Sequence, residues 1–269
     1  MGYKKVISDK FEWIIEFWRY KELLYFFVWR DIKVKYKQTV LGALWAIIQP
    51  FFSMVVFTVF FGKLAKMPSD GIPYPVFSYS ALVPWTYFTS ALSSVGNCLV
   101  GNSNLLTKVY FPRIAIPLAS VLAGLLDFII ASVLLGGIML YYNIPFSLEL
   151  LFWPILIFPV MLLALGLGML LASLNVKYRD IKYVIPFGIQ LMLFLTPIIY
   201  PISIVPQKYR LLVSLNPLSG IIETFRALVV HNKQVDYISL GISFTVIIVV
   251  FFVGLFVFQK TEKSFADLV

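Results

Sequence analysis

The sequence predicts an all-α integral membrane protein with six transmembrane helices, an N-terminal amphipathic interface helix, and two short re-entrant outer helices between spans five and six. Three observations predict it. The 269-residue chain is 60% hydrophobic and only 13% charged, against about 25% charged in soluble domains, and its mean hydropathy is +0.90. A chain this poor in charge cannot cover itself with a solvated surface, so a bilayer must be its solvent. Its charge-free runs match the length of a crossing, about 20 residues for roughly 30 Å of hydrocarbon. Its basic residues gather at the ends of those runs, as orientation signals do, so the net charge of +9 is not read as a nucleic-acid signal. Interface belts account for part of the 17% aromatic content.

The elements follow in order. Residues 1–37 form a cytoplasmic or interfacial segment. Asp9, Glu12, Glu16 and Arg19 recur on one helical face, and Phe11, Ile14, Ile15 and Trp18 on another. With Trp13, Trp18 and Trp29, this basic amphipathic helix is expected to lie in the membrane interface; packing on protein is the alternative. Span one is 38–62, between Lys37 and Lys63. Residues 71–107 are charge-free but too long for one crossing. Pro73, Pro75 and Pro84 mark the first part as external, which leaves span two at about 80–103. Span three, 114–142, is interrupted only by Asp127. Span four is 150–176, with Pro154 and Pro159 near its outer end, and span five is 183–202, with Pro186 and Pro197. Span six is 237–259, followed by a tail at 260–269.

Between spans five and six the chain is too apolar for a solvated loop. Asn216 as N-cap with Pro217 at the first helical position starts one short helix, and Pro206 starts another. Glu223 and Arg226, three residues apart, can pair and lower the cost of partial burial. These four residues, Asn216, Pro217, Glu223 and Arg226, are read as an outer gate; a plain surface pair is the alternative for the last two.

Six spans put both termini on one side. Sixteen of the 22 Lys and Arg fall on that side, which places both termini in the cytoplasm. No cleavable signal peptide is expected, because the first 37 residues lack its short apolar core and small-residue cleavage pattern.

The sequence also excludes chemistry. The single Cys98 allows no internal disulfide and no Cys-based metal site. His231 has no ligand partners at a useful spacing, so no metal is expected. No GxxxxGK[ST] is present, and Gly62-Lys63 lacks its upstream Gly and following Ser/Thr. Asp127 is the one acid well inside a span, where it needs a partner or water. It can be a proton site or a structural bond near small neighbours such as Gly124.

Several blocks resemble one family. Lys35-Tyr36-Lys37, Leu41-Gly42, Trp45 and Pro50 at the start of span one resemble the signature of the permease subunit of type-two ABC exporters for cell-surface polysaccharides. So do Phe111-Pro112-Arg113 with Pro117, the Arg179-Asp180 loop, Thr196-Pro197 through Tyr200-Pro201, and Asn216-Pro217 through Arg226. The resemblance runs through the whole chain in order. It implies a homodimer in the bacterial cytoplasmic membrane with two copies of a separate ATPase. That ATPase would bind ATP and Mg, which leaves this chain a non-enzyme with no cofactor of its own. The substrate implied is a polysaccharide on undecaprenyl diphosphate: O-antigen first, teichoic acid or capsule otherwise. Membrane lipids are its other contacts, and nucleic acid is not expected. A sugar path needs weak repeated contacts from aromatic faces. Trp45, Phe51, Phe52, Tyr87 and Phe88 are the channel candidates; packing against helices is the alternative.

The stretch 104–117 then gains a meaning. Asn102 or Asn104 can cap a short helix over 105–111, ended by Pro112. Leu105, Leu106, Val109, Tyr110 and Phe111 would face water unless a partner groove covers them. They are expected to dock on the ATPase, with Lys108 and Arg113 at the rim. Tyr178, Arg179 and Asp180 join them as coupling residues by the resemblance. Two other classes compete. An ion-coupled transporter needs more mid-membrane ionisable groups or inverted repeats. A membrane transferase needs a catalytic cluster, and Arg179-Asp180 is a lone pair.

Overall fold

The computed structural model describes residues 20–37, 42–103, 105, 111–178, 180–230 and 234–262. The described residues are helical, without strands. They form α1 (Lys21–Lys37), α2 (Trp45–Phe57), α3 (Tyr74–Gly101), α4 (Ala115–Ala123), α5 (Leu125–Tyr141), α6 (Trp153–Lys177), α7 (Ile181–Leu195), α8 (Gln207–Ser214), α9 (Pro217–Val229) and α10 (Tyr237–Glu262). A 3₁₀ turn at Gly42–Leu44 leads into α2, which runs on as a π-helix over Thr58–Leu64.

Four helical stretches are long and apolar enough to cross a membrane: Trp45–Leu64, Ala115–Tyr141, Leu148–Lys177 and Tyr237–Glu262. They correspond to expected spans one, three, four and six. α3 is equally long yet less apolar, because it stands inside the bundle rather than against lipid. It packs on α6 above all, and also on α2, α4, α5 and α9. Its hydroxyls turn back on its own carbonyls, as Ser80 does to Phe77 at 3.0 Å and Thr86 to Val83 at 3.1 Å. A helix lined by protein can carry Ser, Thr and Tyr at no lipid cost.

Three boundaries differ from expectation. Span one starts as helix at Trp45 rather than 38, and residues 38–41 lie outside the described residues. Span two starts at Tyr74 rather than 80, and 74–79 is a buried helical turn rather than an external segment. Pro75 sits in the first turn, where its missing N–H costs nothing, so the prolines read as a stop are a start. Span five, expected to 202, is helical only to Leu195, and 15 helical residues are too short to cross. Pro197 holds Thr196 extended (ψ 138°) and ends the helix. α8 and α9 begin where Pro206 and Asn216-Pro217 predict; the Asn216 side chain accepts from the Leu218 N–H at 3.1 Å.

α6 and α10 meet backbone to backbone. A Cβ on Gly254 would overlap the Gly166 carbonyl, and one on Gly166 would overlap the Phe251 backbone. Small residues permit this closeness where helices associate in a bilayer without a hydrophobic drive. α1 lies on α4, with Phe27 in the core and Tyr25, Phe26 and Trp29 exposed. The amphipathic face expected over residues 9–19 lies outside the described residues, as does His231.

Candidate functional site

Two polar regions stand out at opposite ends of the bundle. At the end where α1 and the C-terminus of α10 lie, two adjoining cavities of about 580 and 240 Å³ share Lys35 and Ser90. Arg30, Asp31, Asn102 and Ser120 line the larger, and Tyr36, Trp45, Gln49 and Asp127 the smaller. α1 supplies the cations and α5 the central anion. Lys35 forms an ion pair with Asp127 and lies 3.4 Å from the Ser90 hydroxyl. The Tyr36 hydroxyl donates to the other Asp127 oxygen. Burial first, then the bond to Asp127 and its charge, raise the Tyr36 pKa, so the phenol stays neutral and a donor. Asp127 is thus partnered across helices by α1, which is the structural alternative for that residue. Arg30 pairs with Asp31 at 2.8 Å.

This cleft alternates cations and anions, an arrangement suited to holding polar groups. No group of three His, Cys, Asp or Glu among the described residues can hold a metal.

At the other end, Thr196–Pro201 is non-helical backbone inside the protein. Such backbone survives at membrane depth only when its polar groups are matched. Arg226 of α9 matches them. It is wholly buried and donates to the Ile198 carbonyl at 2.6 Å, the Tyr200 carbonyl at 3.4 Å and the Phe77 carbonyl at 3.4 Å. It pairs with Glu223 at 2.9 Å, and its guanidinium lies 3.7 Å from the Phe77 ring centroid. The Tyr74 hydroxyl donates to the Ile199 carbonyl at 2.7 Å, and the Asn216 amide donates to the Thr196 hydroxyl at 2.8 Å. The surface-pair alternative for Glu223 and Arg226 is therefore overturned: the pair is a buried knot. Pro217 opens α9 beside it.

The other expected site residues scatter. Trp45, Phe51 and Phe52 are exposed, as a lining requires. Tyr87 and Phe88 are not; both are buried in the core, Tyr87 donating to the Val121 carbonyl at 3.1 Å and Phe88 packing on Trp85 at 5.9 Å. They lie in the interior because residues 74–92 of α3 are enclosed by neighbouring helices, while its far end opens at Ser94, Asn97 and Val100. Phe111, expected to face a partner, is buried edge-on against Phe27 at 5.4 Å. Arg113, expected at the rim of a docking surface, reaches the Glu262 carbonyl at the end of α10. Leu105 packs partly on the core. Asn102 ends α3, its amide donating to the Cys98 carbonyl at 2.8 Å, and its own carbonyl accepts from the Leu105 N–H at 3.0 Å, with Ser103 and Leu105 helical. Tyr178 is exposed beneath Lys177, and Asp180 is exposed at the start of α7. Asn104, Leu106, Lys108, Val109, Tyr110 and Arg179 lie outside the described residues.

Sequence reasoning missed the Lys35–Asp127 pair, reading Lys35 as an orientation charge and as part of the Lys35-Tyr36-Lys37 block. The signal was available: a lone acid in a span demands a cation, and α1 carries the cations nearest the same end. It also missed Tyr74 as a carbonyl clamp, for which the sequence carries no signal.

A polar cleft and a carbonyl knot at the two ends of a helical bundle define a multi-pass helical membrane protein. Residues 22–230 match the ABC-2 type transporter family, and the chain belongs to that family. It is 30% identical over 242 residues to the O-antigen export system permease protein RfbA of Klebsiella pneumoniae, across 89% of this chain and 92% of the relative. The permease of the same name from Myxococcus xanthus is 27% identical over 261 residues, across 94% and 97%. The polysialic acid transport protein KpsM of Escherichia coli is 25% identical over 240 residues, across 87% and 92%.

Proposed function

We propose that this chain is the membrane-spanning subunit of an ATP-driven exporter that moves a lipid-linked polysaccharide, O-antigen on undecaprenyl diphosphate, across the bacterial cytoplasmic membrane. The near end-to-end similarity to permeases named for O-antigen export carries the reading. In it, α3, and α7 together with the non-helical Thr196–Pro201 that follows it, complete six crossings, both termini face the cytoplasm, and α8 and α9 are re-entrant from outside. Two copies of the chain join two copies of an ATPase that holds ATP and Mg. The 104–113 loop with Tyr178, Arg179 and Asp180 receives the ATPase stroke, and Trp45, Phe51 and Phe52 offer stacking faces to sugar rings. The knot at Arg226 with Asn216, Pro217 and Glu223 holds the outer end. A capsular polysaccharide is the second reading, favoured by the similarity to KpsM.

Deleting the gene and profiling surface polymers tests this. Loss of O-antigen, with its lipid-linked precursor accumulating inside, is the expected result. Loss of capsule alone would select the second reading. Unchanged polymers, or a purified chain that binds no ATPase, would overturn both.

A further inference from the structure

The cleft between the first and third spans shares only Phe51 with the site residues assigned above. It is about 550 Å³, within the roughly 300–1,000 Å³ of ligand clefts. It runs along α2 from Phe51 to Lys63 and along α5 past Gly137 to Tyr141 and Tyr142. Twelve residues at about 1.5 Å each make it roughly 18 Å long, close to the ~15 Å of one leaflet. Both walls belong to membrane-crossing stretches, so bilayer components reach it.

Its polar features are graded with depth. Lys63 is exposed at the mouth and has no partner among the described residues, and the two tyrosines stand beside it as interface residues do. About 7 Å further in, by helical rise, the Thr58 hydroxyl lines the cleft, buried and without a partner among the described residues. Thr58 opens the π-helix, a distortion frequent at functional sites. Below it the lining is apolar. Gly137 leaves open space, with nothing within 4 Å of where its Cβ would stand.

We infer that this cleft binds one anionic glycerophospholipid, its phosphate on Lys63, an ester carbonyl on the Thr58 hydroxyl and one acyl chain along Val55 toward Phe51. The order phosphate, ester, chain is the order of a glycerophospholipid. A polyprenyl diphosphate has no acyl ester carbonyl to accept from Thr58, and its double phosphate would draw more than one cation. The inference rests on α2, α4 and α5 crossing the bilayer, and not on what the protein exports.

The test takes the full chain with its ATPase in nanodiscs of phosphatidylglycerol and phosphatidylcholine in equal parts, followed by detergent release and native mass spectrometry. One phosphatidylglycerol should stay with each chain. Lys63→Ala should cut the preference over phosphatidylcholine about five-fold. Thr58→Val should erase any preference for ester-linked over ether-linked phosphatidylglycerol. Gly137→Phe should abolish retention, while Val133→Phe, on a 73% exposed position of the same helix outside the cleft, should not. If Gly137→Phe fails to assemble, Leu134→Trp fills the same space. Retention by the filled variants equal to that of Val133→Phe, or a lipid ratio unmoved by Lys63→Ala, overturns the site. So does a high-yield disulfide between copies carrying Gly137→Cys, which would seat a second copy in the cleft.

Discussion

Arg226 shows how a charge earns a place inside a membrane protein. A buried ion pair is weak evidence for stability, because desolvation offsets the attraction. Here the cation also answers two carbonyls outside any helix, those of Ile198 and Tyr200, and reaches the Phe77 carbonyl of α3 as well. Removing it strands both those groups and Glu223. Arg226→Met should therefore destabilise the fold by about 3–5 kcal/mol, read as loss of monodisperse protein on heating in detergent. Adding Glu223→Gln should recover part of that loss, since no uncompensated charge then remains. A single variant as stable as the parent, or a double variant weaker than the sum of the two singles, would remove Arg226 from the centre of the knot. The sequence announced the Glu223–Arg226 spacing but not its burial. Burial depends on Ile198 and Tyr200, more than 20 residues away, arriving as open backbone.

At the scale of elements, the helices were legible where one residue type decides a boundary. Asn216-Pro217 set the start of α9, and Pro197 set the end of α7. They were misread where proline has two meanings, as at Pro75, since a first-turn proline and a helix breaker look alike in sequence. α10 gains a cap that sequence patterning passed over. Asp236 accepts from the Ile238 and Ser239 N–H groups at 3.1 and 3.2 Å and from the Ser239 hydroxyl at 2.7 Å. The Ser239 hydroxyl, then these N–H groups and Arg210, hold its carboxyl below the usual range against partial burial. A depressed folded pKa means stability that is full above the free-carboxyl value near 3.9 and fades as pH falls through the folded value. Asp236→Ala should cost about 1 kcal/mol at neutral pH. Its deficit should shrink as acid protonates the parent's Asp236, which thermal unfolding of parent and variant at pH 7 and pH 3 would measure. A deficit that stays constant across that range would show that the carboxylate charge contributes nothing.

For the whole molecule, the division between α2 and α3 decides where a sugar path can lie. Composition could not separate them, because both are aromatic-rich crossings; only packing shows that α3 is enclosed while α2 turns Trp45, Phe51 and Phe52 outward. The five aromatics therefore fall into two classes with opposite signatures. Tyr87→Ala and Phe88→Ala should each cost about 3–5 kcal/mol, as large buried rings do, and should lower the amount of folded permease in the membrane. Trp45→Ala and Phe52→Ala should leave that amount unchanged and reduce export per molecule, scored as surface polymer divided by permease. Phe252→Ala and Phe256→Ala on α10 supply the comparison, since those rings are exposed in a stretch that crosses the membrane but are not among the lining candidates. If the α10 variants impair export per molecule as much as Phe52→Ala does, exposed aromatics matter only for lying in lipid, and α2 loses its claim to the path. If only the α2 variants do so, the path runs along the outward face of α2, and Tyr87 and Phe88 belong to the scaffold behind it.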